Sequence, residues 1–292
     1  MLKTTAVDHA RPTWFDSCMY HFDPHYFTSP AGKMHYIDKG KGSPVVFVHG
    51  NPGWSFEFRD VINGVAIKHH CVAPDHIGFG LSDKPADWGY LPEQHAENFA
   101  ALIDHLDLRD ITLVVNDWGG PIGLSYALAH PQRIQRLVLL NTWMWSVKND
   151  GYYRMFSAFM GGPVGRFLIR NFNFFGRAVV PIVYGKRKKL TREVHQFMIA
   201  PLADKAKRKG AWVFPREIIA SSAWLAGLWA QREKLAHIPT TIIWGMKDIA
   251  FREKELNTWV EALHPENVIR LDDVGHYPQD EAPEVLAREL MK

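Results

Sequence analysis

The chain has 292 residues, 47% of them apolar and 22% charged, the balance of a globular protein with one large α/β domain or two ordinary ones. With 34 basic against 31 acidic residues the net charge is +3, too small an excess for a nucleic-acid binder. Cys18 and Cys71 form no disulfide framework, residues 1–14 have no apolar leader, and no stretch approaches the roughly 18 apolar residues of a membrane helix. The expectation is therefore a cytoplasmic protein with no membrane partner.

In chain order, residues 25–28 and 34–38 read as a hairpin turning at Ala31-Gly32. Short β-branched or aliphatic runs follow at 45–48, 71–73, 111–115, 137–140 and 241–244. Each is too short for a helix and ends on a polar residue or a glycine: His49, Pro74-Asp75, Asn116-Asp117, Asn141 and Gly245. Continuous apolar runs suit parallel strands buried on both faces. Between them, Ala96, Phe99, Ile103 and Leu106 recur at helical spacing over 92–106, and a second helix spans 119–130, stopped before Pro131. The last strand covers 267–271.

This alternation predicts an α/β fold with a mostly parallel, eight-stranded sheet. Residues 143–230 break it: they are rich in aromatics and show no clear strand. They read as a helical cap inserted into a core formed by 1–142 and 231–292, above the carboxyl edge where open sheets bind ligands. The basic run Lys186-Arg187-Lys188-Lys189 reads as a solvated turn or helix end, His69-His70 as structural, and Cys71 as a buried strand residue.

Val115-Asn116-Asp117-Trp118-Gly119-Gly120 follows a strand and opens a helix, the context of a nucleophile elbow. Asp117 takes the nucleophile position; Val115 departs from the usual small residue and predicts a slightly wider turn. A helix-capping aspartate would look similar. Two further sites favour the elbow. Asp248, in Trp244-Gly245-Met246-Lys247-Asp248, follows one strand, and His276, in Asp273-Val274-Gly275-His276, follows the last. The order Asp117, Asp248, His276 is the nucleophile–acid–histidine order of an α/β-hydrolase. His49-Gly50-Asn51-Pro52-Gly53-Trp54 sits where one amide of an oxyanion hole is supplied, so the Asn51 and Trp118 backbone N–H groups are the candidate donors. No histidines show metal-ligand spacing, and no cofactor is implied.

An aspartate nucleophile restricts the substrate. Serine attacking an alkyl halide would leave an ether, which activated water does not readily cleave. Aspartate leaves an ester, whose carbonyl carbon water can attack with His276 as base. The chemistry points to electrophilic saturated carbon, not to ordinary ester or peptide hydrolysis.

The motifs His-Gly-Asn-Pro-x-Trp-Ser at 49–55, Pro-Asp-His-Ile-Gly-Phe-Gly-x-Ser at 74–82, Asn-Asp-Trp-Gly-Gly at 116–120 and Trp-Gly-Met-Lys-Asp at 244–248 resemble those of the haloalkane dehalogenases, over nearly the whole chain. The resemblance implies the α/β-hydrolase fold and halide binding by the side-chain N–H groups of Asn51 and Trp118. It also implies a cis Asn51-Pro52 bond, which X-Pro can adopt. Asn141 stands where one branch of the family carries its acid, so Asp248 is the acid here, and Asn51 matches the third subfamily. The implied partners are a small apolar halogenated substrate and the halide ion, with homo-oligomers possible. An epoxide hydrolase with the same triad is the alternative; Tyr152, Tyr153 and Tyr184 would have to protonate its alkoxide. Fluoroacetate dehalogenation, luciferase-like oxygenation and a catalytically silent binder rank lower.

Overall fold

The computed structural model describes residues 12–292. Most of the segment read above as lacking a leader, and the first eleven residues of the expected core, lie outside that range. Eight strands form one sheet: β1 His25–Ser29, β2 Gly32–Lys39, β3 Pro44–Val48, β4 His70–Pro74, β5 Ile111–Asp117, β6 Ile134–Thr142, β7 Thr240–Gly245 and β8 Asn267–Leu271. Their spatial order is β1-β2-β4-β3-β5-β6-β7-β8. The β1–β2 and β2–β4 pairs are antiparallel and all others parallel. This is the expected α/β-hydrolase fold.

The pleat explains the layering. Val46, Val48, Leu113, Val115, Leu137, Leu139, Ile242 and Trp244 point to one face. They are covered by α2 (Pro92–His105), α3 (Gly119–Ala129) and α10 (Glu253–Leu263), through Phe99, Ile122 and Trp259 among others. Val45, Phe47, Val114, Val138, Leu140 and Ile243 point the other way, onto α1 (Arg59–Val65) and α12 (Pro283–Leu290). Each such side chain contributes about 1.5–3 kcal/mol by leaving water. His70 makes a 2.8 Å ion pair with Asp38 across the β2–β4 pair, and Cys71 is buried in β4. Both are structural, as the sequence suggested.

Between β6 and β7 the chain is helical: α4 Gly151–Met160, α5 Pro163–Phe172, α6 Val180–Val183, α7 Arg192–Ile199, α8 Lys209–Ala220 and α9 Ser222–Trp229. A four-residue helix, α11 Pro278–Glu281, precedes α12. From β3 the chain first adds β4 on one side, then crosses back to place β5 on the other. The reversal opens a crevice between the carboxyl ends of β3 and β5, the place where open sheets bind ligands. Val48 of β3 sits level with Val115 of β5, so the residues that follow both strands reach the crevice together.

Candidate active site

Asp117 closes β5 in the left-handed region, at φ 50°, and Gly119 opens α3 behind it. A Cβ at Gly119 would lie 2.1 Å from the Val48 carbonyl oxygen, so glycine is required where the helix crosses β3. The β5–β6 register shifts between Asn116 and Asp117, turning the aspartate off the sheet. The Thr142 hydroxyl donates to the Asp117 carbonyl at 2.6 Å and fixes that turn.

The Asn51 backbone N–H donates to Asp117 Oδ1 at 2.7 Å, and the Trp118 N–H also favours the ionised carboxylate. The other oxygen, Oδ2, lies 3.9 Å from His276 Nε2. His276 Nδ1 is 2.9 Å from Asp248 Oδ2; Asp272 and Asp273 are not its partners. Asp273 instead pairs with Lys186. The Asn51-Pro52 bond is cis.

Burial pushes the Asp117 carboxyl above its ordinary value, against the opposing pull of His276 and of the Asn51 and Trp118 amides. For His276, burial acts to lower the imidazole. The charge and hydrogen bond of Asp248, with the charge of Asp117, outweigh burial and raise it to about 9. The imidazole between Asp117 and Asp248 thus favours its protonated form.

Several supports escaped the sequence reading. Asn141, at φ 24°, donates to Asp248 Oδ2 at 2.9 Å and to the Gly245 carbonyl, while its own oxygen accepts from the Gly245 N–H. It aims the acid from the next strand. The Asn116 amide donates to the His276 carbonyl at 3.2 Å, and Gln279 links Asn116 to the buried Glu57. Glu57 is pushed well up by burial and lies against the Asn51-Pro52-Gly53 turn. His49 donates from Nδ1 to the Gly50 carbonyl and accepts the His76 N–H on Nε2, which shapes the same turn. The asparagines at strand ends were a visible signal. Glu57 had none, because its hydrogen-bond partner Gln279 lies 222 residues away.

Above Asp117 lies a cavity of about 140 Å³. Its floor has Asn51, Asp117, Trp118 and His276; apolar walls come from Trp143, Phe156, Phe175, Val180, Ile218 and Phe251. The indole of Trp143 meets Trp118 edge-on, with ring centres 4.6 Å apart. Asn51 and Trp118 keep their side-chain N–H groups free of other hydrogen-bond partners among the described residues.

The α/β hydrolase fold profile matches residues 43–283. Haloalkane dehalogenase 2 of Mycobacterium tuberculosis is 36% identical over 281 residues, spanning 95% of this chain and 96% of its own. A cis-3-alkyl-4-alkyloxetan-2-one decarboxylase of Shewanella oneidensis is also 36% identical, over 270 residues, 89% of this chain and 85% of its own. Among solved structures, a haloalkane dehalogenase of Bradyrhizobium elkani superposes with a TM-score of 0.83 at 29% identity, over 92% of this chain and 96% of that one. The chain belongs to the α/β-hydrolase family and, within it, to the haloalkane dehalogenases.

Proposed function

We propose that the chain hydrolyses haloalkanes to an alcohol and halide through an ester on Asp117. The observation that carries this reading is a buried carboxylate with one oxygen held by backbone N–H and the other facing a histidine. Oδ2 attacks the halogen-bearing carbon, the carbon–halogen bond breaks, and the halide leaves onto the side-chain N–H groups of Asn51 and Trp118. Esterification removes the Asp117 charge that helped hold His276 protonated, so the imidazole gives up its proton and becomes a base. It then takes a proton from water, whose oxygen attacks the ester carbonyl while the backbone N–H groups of Asn51 and Trp118 stabilise the oxyanion. The oxyanion collapses, the bond between the carbonyl carbon and Oδ2 breaks, and the departing alkoxide takes the proton from His276 to leave as the alcohol. Asp248 orients the imidazole. Residues 143–230 serve as the cap and 1–142 with 231–292 as the core. The halide pair Asn51 and Trp118 supports assignment to the third subfamily. A cavity of this size accommodates a ligand on the scale of benzene, hence a short haloalkane.

The epoxide-hydrolase alternative has no support. Tyr152 and Tyr153, which face the cavity, donate their hydroxyls to the carbonyls of Ile249 and Ala250, and Tyr184 donates to Asp280. None is free to protonate an alkoxide.

The equal identity to an oxetanone decarboxylase favours a second reading on the same residues. Asp117 would attack the ring carbon bearing oxygen, releasing a carboxylate. Loss of carbon dioxide would then form the alkene and expel Asp117 as carboxylate. That sequence uses neither water nor a base. One variant separates the readings. With haloalkane, His276→Ala should release about one halide per site and stop, with the alkyl mass on Asp117. With a 3,4-dialkyl oxetanone it should turn over repeatedly. Halide released continuously by this variant, or an alkyl group on any other residue, would overturn the first reading.

A further inference from the structure

Residues 151–192 hold nine of the chain's 34 basic residues and none of its 31 acidic ones. They comprise α4, α5, α6, the basic run 186–189 and the first residue of α7. Only Lys186 among the nine is ion-paired within the described residues, with Asp273 at 3.3 Å. The same stretch carries six of the eight large apolar side chains that stand exposed among the described residues: Met155, Phe159, Val164, Phe167, Phe172 and Ile182. Met155 and Phe159 are one helical turn apart, and the rings of Phe167 and Phe172 lie 6.0 Å from each other. On their opposite faces α4 and α5 bury Met160 and Ile169 with Ala211 of α8. The exposed side chains of both helices therefore point away from one common support.

Two different costs meet on α4 and α5, where Arg154, Arg166 and Arg170 stand exposed among these apolar side chains. Exposed apolar area is unfavourable in water, and unpaired like charges repel. A partner must relieve both. Nucleic acid relieves the charge but offers little to six apolar side chains. A second copy covers the apolar groups but sets the arginines of one copy against those of the other. A bilayer with anionic headgroups relieves both, since its acyl boundary takes the aromatics and its phosphates take the Lys and Arg. The same stretch also supplies Tyr152, Tyr153, Phe156, Phe175, Val179 and Val183 to the cavity wall. A bilayer docked there would lie next to the cavity that receives an apolar ligand.

We propose that the outer face of α4 and α5 is a docking surface for an anionic lipid bilayer, on which the protein lies without crossing it. Among the described residues no helix is long and apolar enough to span. The proposal departs from the sequence expectation of no membrane partner. It does not depend on the reaction catalysed.

The test is co-sedimentation of the full chain with vesicles of phosphatidylcholine alone or mixed with phosphatidylglycerol, at low and high salt. Binding should require the anionic lipid and weaken with salt. Replacing Arg154, Arg166 and Arg170 by Gln should lower affinity about 100-fold, the sum of three surface charges. Phe159→Ser with Phe167→Ser should lower it as well. Unchanged melting temperatures establish that both variants are folded. The proposal is overturned if folded wild type ignores anionic vesicles at low salt, or if both variants bind like wild type. A shift in sedimentation coefficient caused by the serine pair, with vesicle binding intact, would assign the face to contact between copies instead.

Discussion

At the scale of single residues, the site separates holding from reacting. Asn51 presents a backbone N–H to the nucleophile and a side-chain N–H to the cavity, and Trp118 does the same from the other side. In the proposed reaction the two side-chain donors act on the leaving group alone. Trp118→Phe keeps the ring and removes the N–H. Losing one donor to developing charge costs about 3 kcal/mol, so the first-turnover rate of bromide release should fall ~100-fold. Ester hydrolysis, which uses the backbone amides, should be nearly unaffected. Stopped-flow halide detection reads the first step and single-turnover alcohol formation the second. Equal losses in both would remove Trp118 from the halide site. Asn141 illustrates what can be read from a residue type and what cannot. Its position closed one option for the acid, which the sequence made plain. Its three hydrogen bonds to Gly245 and Asp248 depend on a neighbouring strand that lies about a hundred residues further along.

At the scale of elements, five strands were legible because short apolar runs bounded by polar or glycine residues leave little choice of structure. Ile134–Arg136 was missed at the start of β6 because Gln135 and Arg136 break the apolar run. Arg136 reaches out to Glu289 of α12. The helices between β6 and β7 could not be divided from sequence, since aromatics pack there on several faces and the pattern loses its period. Close approach of elements was also invisible. A Cβ on Gly245 would lie 1.8 Å from the Gly275 carbonyl oxygen, in the loop that carries His276. Because that neighbour is backbone, Gly245→Ala must displace the loop and draw His276 from Asp248. The expected result is a normal burst of halide with steady turnover reduced at least roughly tenfold, as loss of a general base implies. A burst and steady rate reduced together would place the damage at Asp117 instead.

At the scale of the whole molecule, the fold concentrates charge where the core is driest. The folded state raises His276 from its usual value near 6.5 to about 9. A raised histidine stabilises the fold fully below its unfolded value, and the contribution disappears as pH rises through about 9. At full strength it amounts to about 3 kcal/mol. Asp248→Asn removes the largest favourable partner. Its melting temperature should therefore fall below that of wild type at pH 6, and the gap should close or invert by pH 10. A gap independent of pH would mean that Asp248 acts through packing alone. The pairing of Asp248 with His276 was legible from the acid–histidine order, but how far burial and the neighbouring carboxyl groups move the imidazole depends on packing that the chain does not display. Topology was likewise half visible. The motif order specified an α/β-hydrolase, but the placement of β4 and β5 on opposite sides of β3, which opens the crevice, rests on pairings that no local pattern encodes.

The hydrogen bond from Asn51 to Asp117 gives the two oxygens of the nucleophile different histories. In the proposed reaction Oδ1 sits in the seat that the oxyanion uses, so Oδ2 is the atom that bonds to carbon. When water attacks the ester carbonyl, the alcohol departs with the old Oδ2, and the oxygen from water fills the vacated place. In heavy-oxygen water the first alcohol released should be unlabelled and every later one labelled. Oδ1 should keep its original isotope through many cycles, a permanent atom beside a consumable one. Mass analysis of the Asp117 peptide after extended turnover should find one heavy oxygen. Two would mean that the carboxylate rotates between cycles and that the amide grip on it is released each time.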